Sequence, residues 1–265
     1  MYPNQEQKAT VFRDLHQGEA FIIPNPWDAG SARVLEALGF KALATTSSGF
    51  AFTLGRLDGG ATLDEVIEHV KVLNSSTSLP ISVDLENGYG RGPEAAASAV
   101  VRAAEAGAVG GSIEDYDPQD GLYDFDHAVE RVAAASEAAR RLSFPFTVTA
   151  RAENHIRGNP DLDDTIARLQ AYELAGADVL YAPGLGSGDE IRAVCGAVSR
   201  PVNVLAHAGL SMTDIVDAGG QRVSLGGSLT WAAVGAMAAA ATAMHDDGDF
   251  SSLDQPVRVG EWLGD

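Results

Sequence analysis

The sequence predicts a (β/α)₈ TIM barrel, and three observations carry the prediction. Short apolar runs alternate with amphipathic segments along the chain, the strand–helix units number eight, and 265 residues is the size that eight units need. Candidate strands span 20–23, 42–46, 81–84, 110–114, 146–151, 179–181, 202–205 and 222–224. Helical patterns fill 29–38, 63–73, 94–106, 128–141, 162–175, 187–197 and 212–218, and an alanine-rich apolar run, 229–244, follows the last strand and reads as a buried helix. Gly107 and Gly176 close two of these helices, as left-handed C-caps do ahead of a strand. An open doubly wound sheet is the alternative, but that fold usually carries Gly-x-Gly-x-x-Gly after its first strand. Pro24-Asn25-Pro26-Trp27-Asp28 stands there instead. With no linker or low-complexity tract, one domain over 1–265 is expected.

Composition narrows the function. At 45% hydrophobic and 21% charged, the chain is built to fold around a core. A net charge of -19 opposes binding to nucleic acid or an anionic membrane. An anionic substrate therefore needs a local cation or arginine to hold it. The single cysteine, Cys195, excludes a disulfide framework and a zinc cluster, and its helical setting reads as a small buried apolar residue. Residues Met1 to Lys8 lack the apolar core of a signal peptide, and the run 229–244 is short for a membrane span, so a cytoplasmic protein is expected.

In such a barrel, chemistry sits where strands meet the loops that follow them. The second strand ends in Thr45-Thr46-Ser47-Ser48-Gly49, and the next loop holds Asp58. The third gives Asp84 and Glu86, which strand alternation would aim the same way. Like charges so placed are costly unless a cation lies between them. Glu114 and Asp115 end the fourth strand, Arg151 and Glu153 the fifth, Tyr181-Ala182-Pro183 the sixth, and Asn203 with His207 the seventh. Four carboxylates (Asp58, Asp84, Glu86, Glu114) facing one arginine, without clustered histidines, favour a hard cation such as magnesium. That ion beside Arg151 would stabilise charge developing on an enolate oxygen. A structural ion pair of Arg151 with Glu153 or Glu114 is the other reading.

The remaining polar candidates carry weaker signals. His16, His69 and His245 read as surface positions, His127 as a helix-opening cap, and His155 as a rim or solvated loop residue. Asp117 and Asp120 read as solvated acids or lid contacts. Gly226-Gly227-Ser228 offers either backbone amides for an anion or tight packing, and the alanines of 232–238 allow close helix packing at a subunit interface.

These residues resemble the isocitrate lyase / phosphoenolpyruvate mutase superfamily over most of the chain. The likeness rests on Gly55-Arg56-Leu57-Asp58, Asp84-Leu85-Glu86-Asn87-Gly88-Tyr89-Gly90, Ile113-Glu114-Asp115 and Ala150-Arg151-Ala152-Glu153, whose order and spacing together are specific. It implies a magnesium-dependent, phosphoenolpyruvate mutase-like barrel, with manganese as a substitute ion. It also implies a homo-oligomer, dimer or tetramer, whose last helix packs on a neighbouring subunit. Position by position, it implies Asp84 as the closest metal ligand, with Glu86 and Glu114 holding metal-bound waters. Arg151 would bind the substrate carboxylate or oxyanion, with donors from Thr46, Ser47 and Ser48. Asp58 would sit above the reacting centre, Asn203 would be a strand-seven contact, and Trp27 would wall the pocket or be structural.

Two departures shape the expected activity. The lyases of this superfamily share a Lys-Lys-Cys-Gly-His loop after the fourth strand, where this chain reads Tyr116-Asp117-Pro118-Gln119-Asp120-Gly121-Leu122-Tyr123. The lysine, asparagine or threonine of the mutase and phosphonopyruvate hydrolase branches is missing there too, and Pro183 replaces a lyase glutamate. The enolate-stabilising half remains. The expected function is a magnesium-dependent lyase cleaving a C–C bond of a small 2-oxo or 2-hydroxy dicarboxylate, oxaloacetate decarboxylase-like or 2-methylisocitrate lyase-like. Protonation would come from solvent or Tyr123. C–P chemistry on phosphonopyruvate, and a 2-oxo acid binding protein without turnover, are the alternatives.

Overall fold

A computed structural model describes residues 3–254 and 257–264; Met1 and Tyr2, where the signal-peptide reading begins, lie outside the described residues. Strands β1 (Phe21–Ile23), β2 (Leu43–Ala44), β3 (Ile81–Asp84) and β4 (Gly110–Glu114) precede a short hairpin of β5 (Tyr116–Asp117) and β6 (Gly121–Leu122). Strands β7 (Thr147–Arg151), β8 (Val179–Tyr181), β9 (Val202–Leu205) and β10 (Arg222–Ser224) follow. Apart from the hairpin, the strands form one parallel sheet in the order β1-β10-β9-β8-β7-β4-β3-β2. The ring closes where the Ala44 N–H donates to the Pro24 carbonyl at 3.1 Å. The barrel is therefore as predicted, and the open sheet is excluded.

The helices are α1 (Gln5–Leu15), α2 (Ala29–Ala37), α3 (Ser47–Thr53), α4 (Leu63–Ser76), α5 (Pro93–Glu105), α6 (Phe125–Arg140), α7 (Leu162–Leu174), α8 (Gly188–Ala197), α9 (Met212–Asp217), α10 (Ser228–Asp247) and α11 (Val259–Leu263). Helices α1, α3 and α11 are absent from the predicted elements. Helix α1 opens on a capping box between Asn4 and Gln7 and buries Ala9 and Phe12. Phe12 plugs the barrel floor so closely that a Cβ on Gly110 would lie 2.7 Å from its ring. Strand β2 is shorter than predicted because Thr46, in extended conformation, accepts the Gly49 N–H and starts α3.

Two histidines are corrected by this packing. His16 is buried under the barrel, its Nδ1 against the Phe12 carbonyl and its Nε2 against Arg222. Burial holds it neutral, pushing its pKa down to about 3. His69 is buried too, stacked on Phe50 with ring centroids 4.1 Å apart, and among the described residues its Nε2 has no hydrogen-bond partner. Burial lowers its pKa to about 4 from 6.5. The unfolded chain therefore takes up a proton that the folded chain refuses. The stability this residue permits is whole above pH 6.5 and drains away as pH falls toward 4. His69→Phe is expected to gain about 2 kcal/mol on the wild type between pH 8 and pH 5. Urea denaturation at the two pH values measures this, and a pH-independent difference would count against it.

Helix α10 also departs from expectation. Instead of a buried helix, Thr230 is its one buried residue, while Trp231 and Met237 are 47% and 61% exposed. Its apolar surface is thus turned away from its own barrel. Among the described residues no helix is long and apolar enough to cross a membrane.

Candidate active site

Register builds the site. Pairing places Glu114 of β4 opposite Arg151 of β7, and Arg151 opposite Tyr181 of β8, all at the C-terminal rim. Arg151 is largely buried, its side chain 17% exposed. Its Nη1 lies 3.5 Å from Glu114 and 4.0 Å from Asp84, and its Nε donates to Glu153. Both readings of this arginine therefore describe one arrangement: it is an ion-pair centre, and it lines the cavity at the strand ends.

Asp84 is the last residue of β3. Its N–H donates to Thr45 Oγ1 at 2.8 Å, and its carboxylate accepts from the N–H groups of Glu86 at 3.2 Å and Ser47 at 3.4 Å. The alternation argument for Glu86 is corrected here, because the strand has ended and Glu86 sits in a turn at φ 46°. Tyr89 follows at φ 60°, and its hydroxyl donates to Glu86 at 3.0 Å. Such non-glycine conformations cost roughly 1–3 kcal/mol each and persist when surrounding bonds hold them. Gly88, at φ 79°, is required, since a Cβ there would lie 2.8 Å from the Ala96 Cα. The turn, not the strand, brings Glu86 beside Asp84.

The electrostatics follow from crowding. Burial first, and then repulsion from Asp84, push Glu86 up to about 7. Glu114 is raised well above the usual carboxylate range, chiefly by burial, with Arg151 opposing and Glu153, Asp84 and Glu86 adding repulsion. Burial works against the Arg151 charge, yet Glu114 and Glu153 hold its pKa high. Two guanidiniums, Arg151 and Arg157, among Asp58, Asp84, Glu86, Glu114 and Glu153 leave room for more positive charge. Among the described residues no three His, Cys, Asp or Glu side chains are close enough to cage a metal on their own. The donor set is all oxygen with one carboxylate in front, which fits an ion that keeps most of its waters.

Beneath the rim lies a support of which the sequence reading named only the Arg151–Glu153 pair. Glu153 is wholly buried, accepts from Arg151 and from Arg157 Nε at 2.9 Å, and donates its N–H to Asp115 at 2.7 Å. Asp115 also accepts from Arg168 at 3.0 Å and the Tyr172 hydroxyl at 2.5 Å. The signal was available: Thr165, Arg168, Leu169 and Tyr172 share the buried face of α7, so an arginine on that face needs an acid partner. Asp115→Ala would take the buried partner from Arg168 Nη1, the Tyr172 hydroxyl and the Glu153 N–H together, leaving Arg168 with Asp164 at 3.2 Å, and is expected to cost about 3–5 kcal/mol by urea denaturation. A loss under 1 kcal/mol would contradict this reading of the network.

The other predicted residues fall in three groups. Ser47, Asp58, Glu86, Glu114, Arg151, Tyr116, Pro118 and Arg157 line a mouth of about 170 Å³, with Asp58 on an exposed loop. Thr46, Asp84, Arg151, Tyr181 and Asn203 line an inner cavity of about 60 Å³. Asn203 is 1% exposed and its amide is committed, accepting from Arg222 at 2.7 Å and donating to Ser224 at 2.9 Å. Ser48 bonds Thr46 at 3.2 Å and packs on Gly227, where a Cβ would lie 2.6 Å from both Ser48 Oγ and Trp231 Nε1. Gly227 is thus explained by packing, and Gly226 by its backbone at φ 53°.

The third group lies elsewhere. Trp27 lines a separate apolar groove with Phe50, Leu54 and Val72, so it does not wall the cavity. Tyr123 is corrected as proton source: its hydroxyl is buried, donating to Asp117 at 3.2 Å and accepting from Asn87 at 3.0 Å. Asp117 is likewise buried rather than solvated, and Asp120 pairs with Arg91. His155 faces Glu190 at 3.9 Å, and His207 accepts the Gly209 N–H at 3.1 Å.

Comparison with known proteins agrees with this geometry. A sequence profile of the phosphoenolpyruvate phosphomutase family matches residues 12–245. A Burkholderia cenocepacia protein, described provisionally as a lyase or mutase, is 50% identical; the match covers 98% of this chain and 97% of that one, with a TM-score of 0.96. An oxaloacetate decarboxylase from Bradyrhizobium diazoefficiens is 31% identical over 246 residues, 88% of this chain and 81% of that protein. A phosphonopyruvate hydrolase, solved with oxalate and magnesium, is 25% identical with a TM-score of 0.85, over 97% of this chain and 95% of that one.

Proposed function

The chain belongs to the phosphoenolpyruvate phosphomutase family, within the isocitrate lyase / phosphoenolpyruvate mutase superfamily of lyases and mutases, and from that premise we propose a specific activity. The enzyme is a magnesium-dependent lyase that cleaves a C–C bond of a small 2-oxo or 2-hydroxy dicarboxylate, with oxaloacetate the first substrate to try. The observation that carries this reading is the crowding of Asp84, Glu86 and Glu114 around the largely buried Arg151.

Asp84 is the direct ligand in this reading, with Glu86 and Glu114 acting through water. The ion supplies positive charge to the oxygens of a 2-oxo acid, and manganese can replace it. Arg151 presents Nη1 to the substrate carboxylate or carbonyl oxygen and stabilises it as charge builds. The Ser47 N–H and the Thr46 and Ser48 hydroxyls orient the carboxylate, and Asp58 overhangs the reacting carbon. For oxaloacetate the electron pair of the breaking bond moves to the carbonyl oxygen as carbon dioxide leaves. The resulting enolate takes its proton from water, since Tyr123 is tied to Asp117 and Asn87.

Likeness to phosphonopyruvate hydrolase supports C–P chemistry as the second reading. The exposed apolar side of α10 supports a homo-oligomer, dimer or tetramer, with that helix on a neighbouring subunit. The charge of -19 supports a cytoplasmic enzyme without nucleic-acid or membrane partners. A panel of 2-oxo and 2-hydroxy diacids with and without magnesium tests the activity, with pyruvate release from oxaloacetate as the first readout. Phosphorus NMR on phosphonopyruvate addresses the second reading. Tight magnesium-dependent binding of 2-oxo acids without consumption would show a binding protein instead.

A further inference from the structure

Arg157 is the second cation at the mouth, and nothing in the family reading uses it. It stands in the loop after β7, and its position is set from two sides. Its Nε donates to Glu153 at 2.9 Å, and its guanidinium carbon lies 3.8 Å from the centroid of the Tyr116 ring. The side chain is 34% exposed, and among the described residues no hydrogen bond engages its η nitrogens. Arg157 lines the 170 Å³ mouth that Ser47, Asp58, Glu86, Glu114 and Arg151 also line.

Neutralising Glu153 does not explain it, because Arg151 already bonds that carboxylate. Nor can Arg151 hold both ends of a diacid, since it is enclosed among Asp84, Glu114 and Glu153. The loop 116–123 brings no lysine or histidine, yet its Tyr116 forms the platform on which Arg157 rests. An arginine with fixed orientation and free η donors matches a planar carboxylate.

We infer that Arg157 receives the second acid group of the substrate, so that the site selects diacids over monoacids. This rests on the proposed function. It also narrows it, because an acid group held by a cation is a poor leaving group for decarboxylation. The favoured substrates are those whose gripped carboxylate stays on the departing fragment. For a 2-hydroxy diacid, the hydroxyl gives its proton to water, its oxygen becomes the carbonyl of a 2-oxo acid, and the bond between the hydroxyl-bearing carbon and its neighbour breaks. The departing fragment keeps the electron pair as a carboxylate-stabilised carbanion, which water then protonates.

The test compares malate with lactate, which share a 2-hydroxy acid head and differ by one carboxylate. With magnesium present, calorimetry is expected to show malate binding at least about tenfold tighter than lactate to the wild type. Arg157→Gln should erase that preference and leave lactate affinity within about twofold, while Arg157→Lys retains part of it. A wild type without the preference, or a glutamine variant that keeps it, overturns the inference. The ratio is read from binding alone, so absence of turnover would sink the lyase reading without deciding this one. An unchanged melting temperature confirms that both variants fold.

Discussion

Arg151→Lys is expected to lower kcat/KM by roughly two to three orders of magnitude on whichever diacid the wild type turns over, with little change in the urea midpoint. Lysine keeps the positive charge that Glu114, Asp84 and Glu153 require, so the acids stay neutralised and the rim stays folded. It loses the planar fork, and with it the donor aimed at the substrate oxygen while Nε holds Glu153. The alanine variant is a poorer test. Removing the guanidinium leaves buried carboxylates facing one another, which is expected to cost about 3–5 kcal/mol of stability as well as activity. Part of that loss should return as pH falls and the acids protonate. Near-normal kcat/KM in Arg151→Lys would remove the arginine from the chemistry and leave it structural.

Asp84→Asn separates charge from shape. The asparagine keeps the shape but accepts only one of the two N–H groups, because Ser47 and Glu86 bond different Asp84 oxygens, so the turn loses one hydrogen bond. The loss of one negative charge removes a repulsion that raises Glu86, which should then return toward ordinary carboxylate values. The variant is therefore expected to melt at or above the wild-type temperature without magnesium, and to lose the stabilisation that magnesium gives the wild type. Turnover should fall by about a thousandfold if Asp84 is the direct ligand that we propose, because such a ligand carries charge stabilisation worth several kcal/mol. Differential scanning calorimetry across a magnesium series, read beside kcat, checks both parts. A magnesium-induced rise in melting temperature as large as in the wild type would place the ion elsewhere.

The fold was legible because barrel strands obey local rules. Ile81–Asp84, Gly110–Glu114, Val179–Tyr181, Val202–Leu205 and Arg222–Ser224 have the predicted boundaries, since apolar runs flanked by capping residues leave few choices. Helix α3 was not legible from the Thr45-Thr46-Ser47-Ser48 run, where β-branched residues extended the strand pattern past the point at which Thr46 caps a helix. Helix α10 was misread because hydrophobicity reports that a face wants cover, not what covers it.

The same division runs through the site. Asp84, Glu114 and Arg151 sit at strand ends, where spacing alone locates them. Glu86 was placed rightly by faulty geometry, since a left-handed turn did what alternation was asked to do. Glu153 joins Arg151 to Arg157 within one loop, and Asp115 ties that loop to α7; the second link, between residues 53 apart in sequence, leaves no local period. His16 and His69 were read as surface because single histidines on amphipathic helices carry no signal of which face they take.

The most direct test is a crystal grown with manganese and oxalate, measured at an energy where manganese scatters anomalously. The account predicts one strong anomalous peak at ligand distance from an Asp84 carboxylate oxygen, with Glu86 and Glu114 reaching it through water and oxalate lying between the ion and Arg151. No peak at the strand ends, or one bound by acids that exclude Asp84, would contradict it.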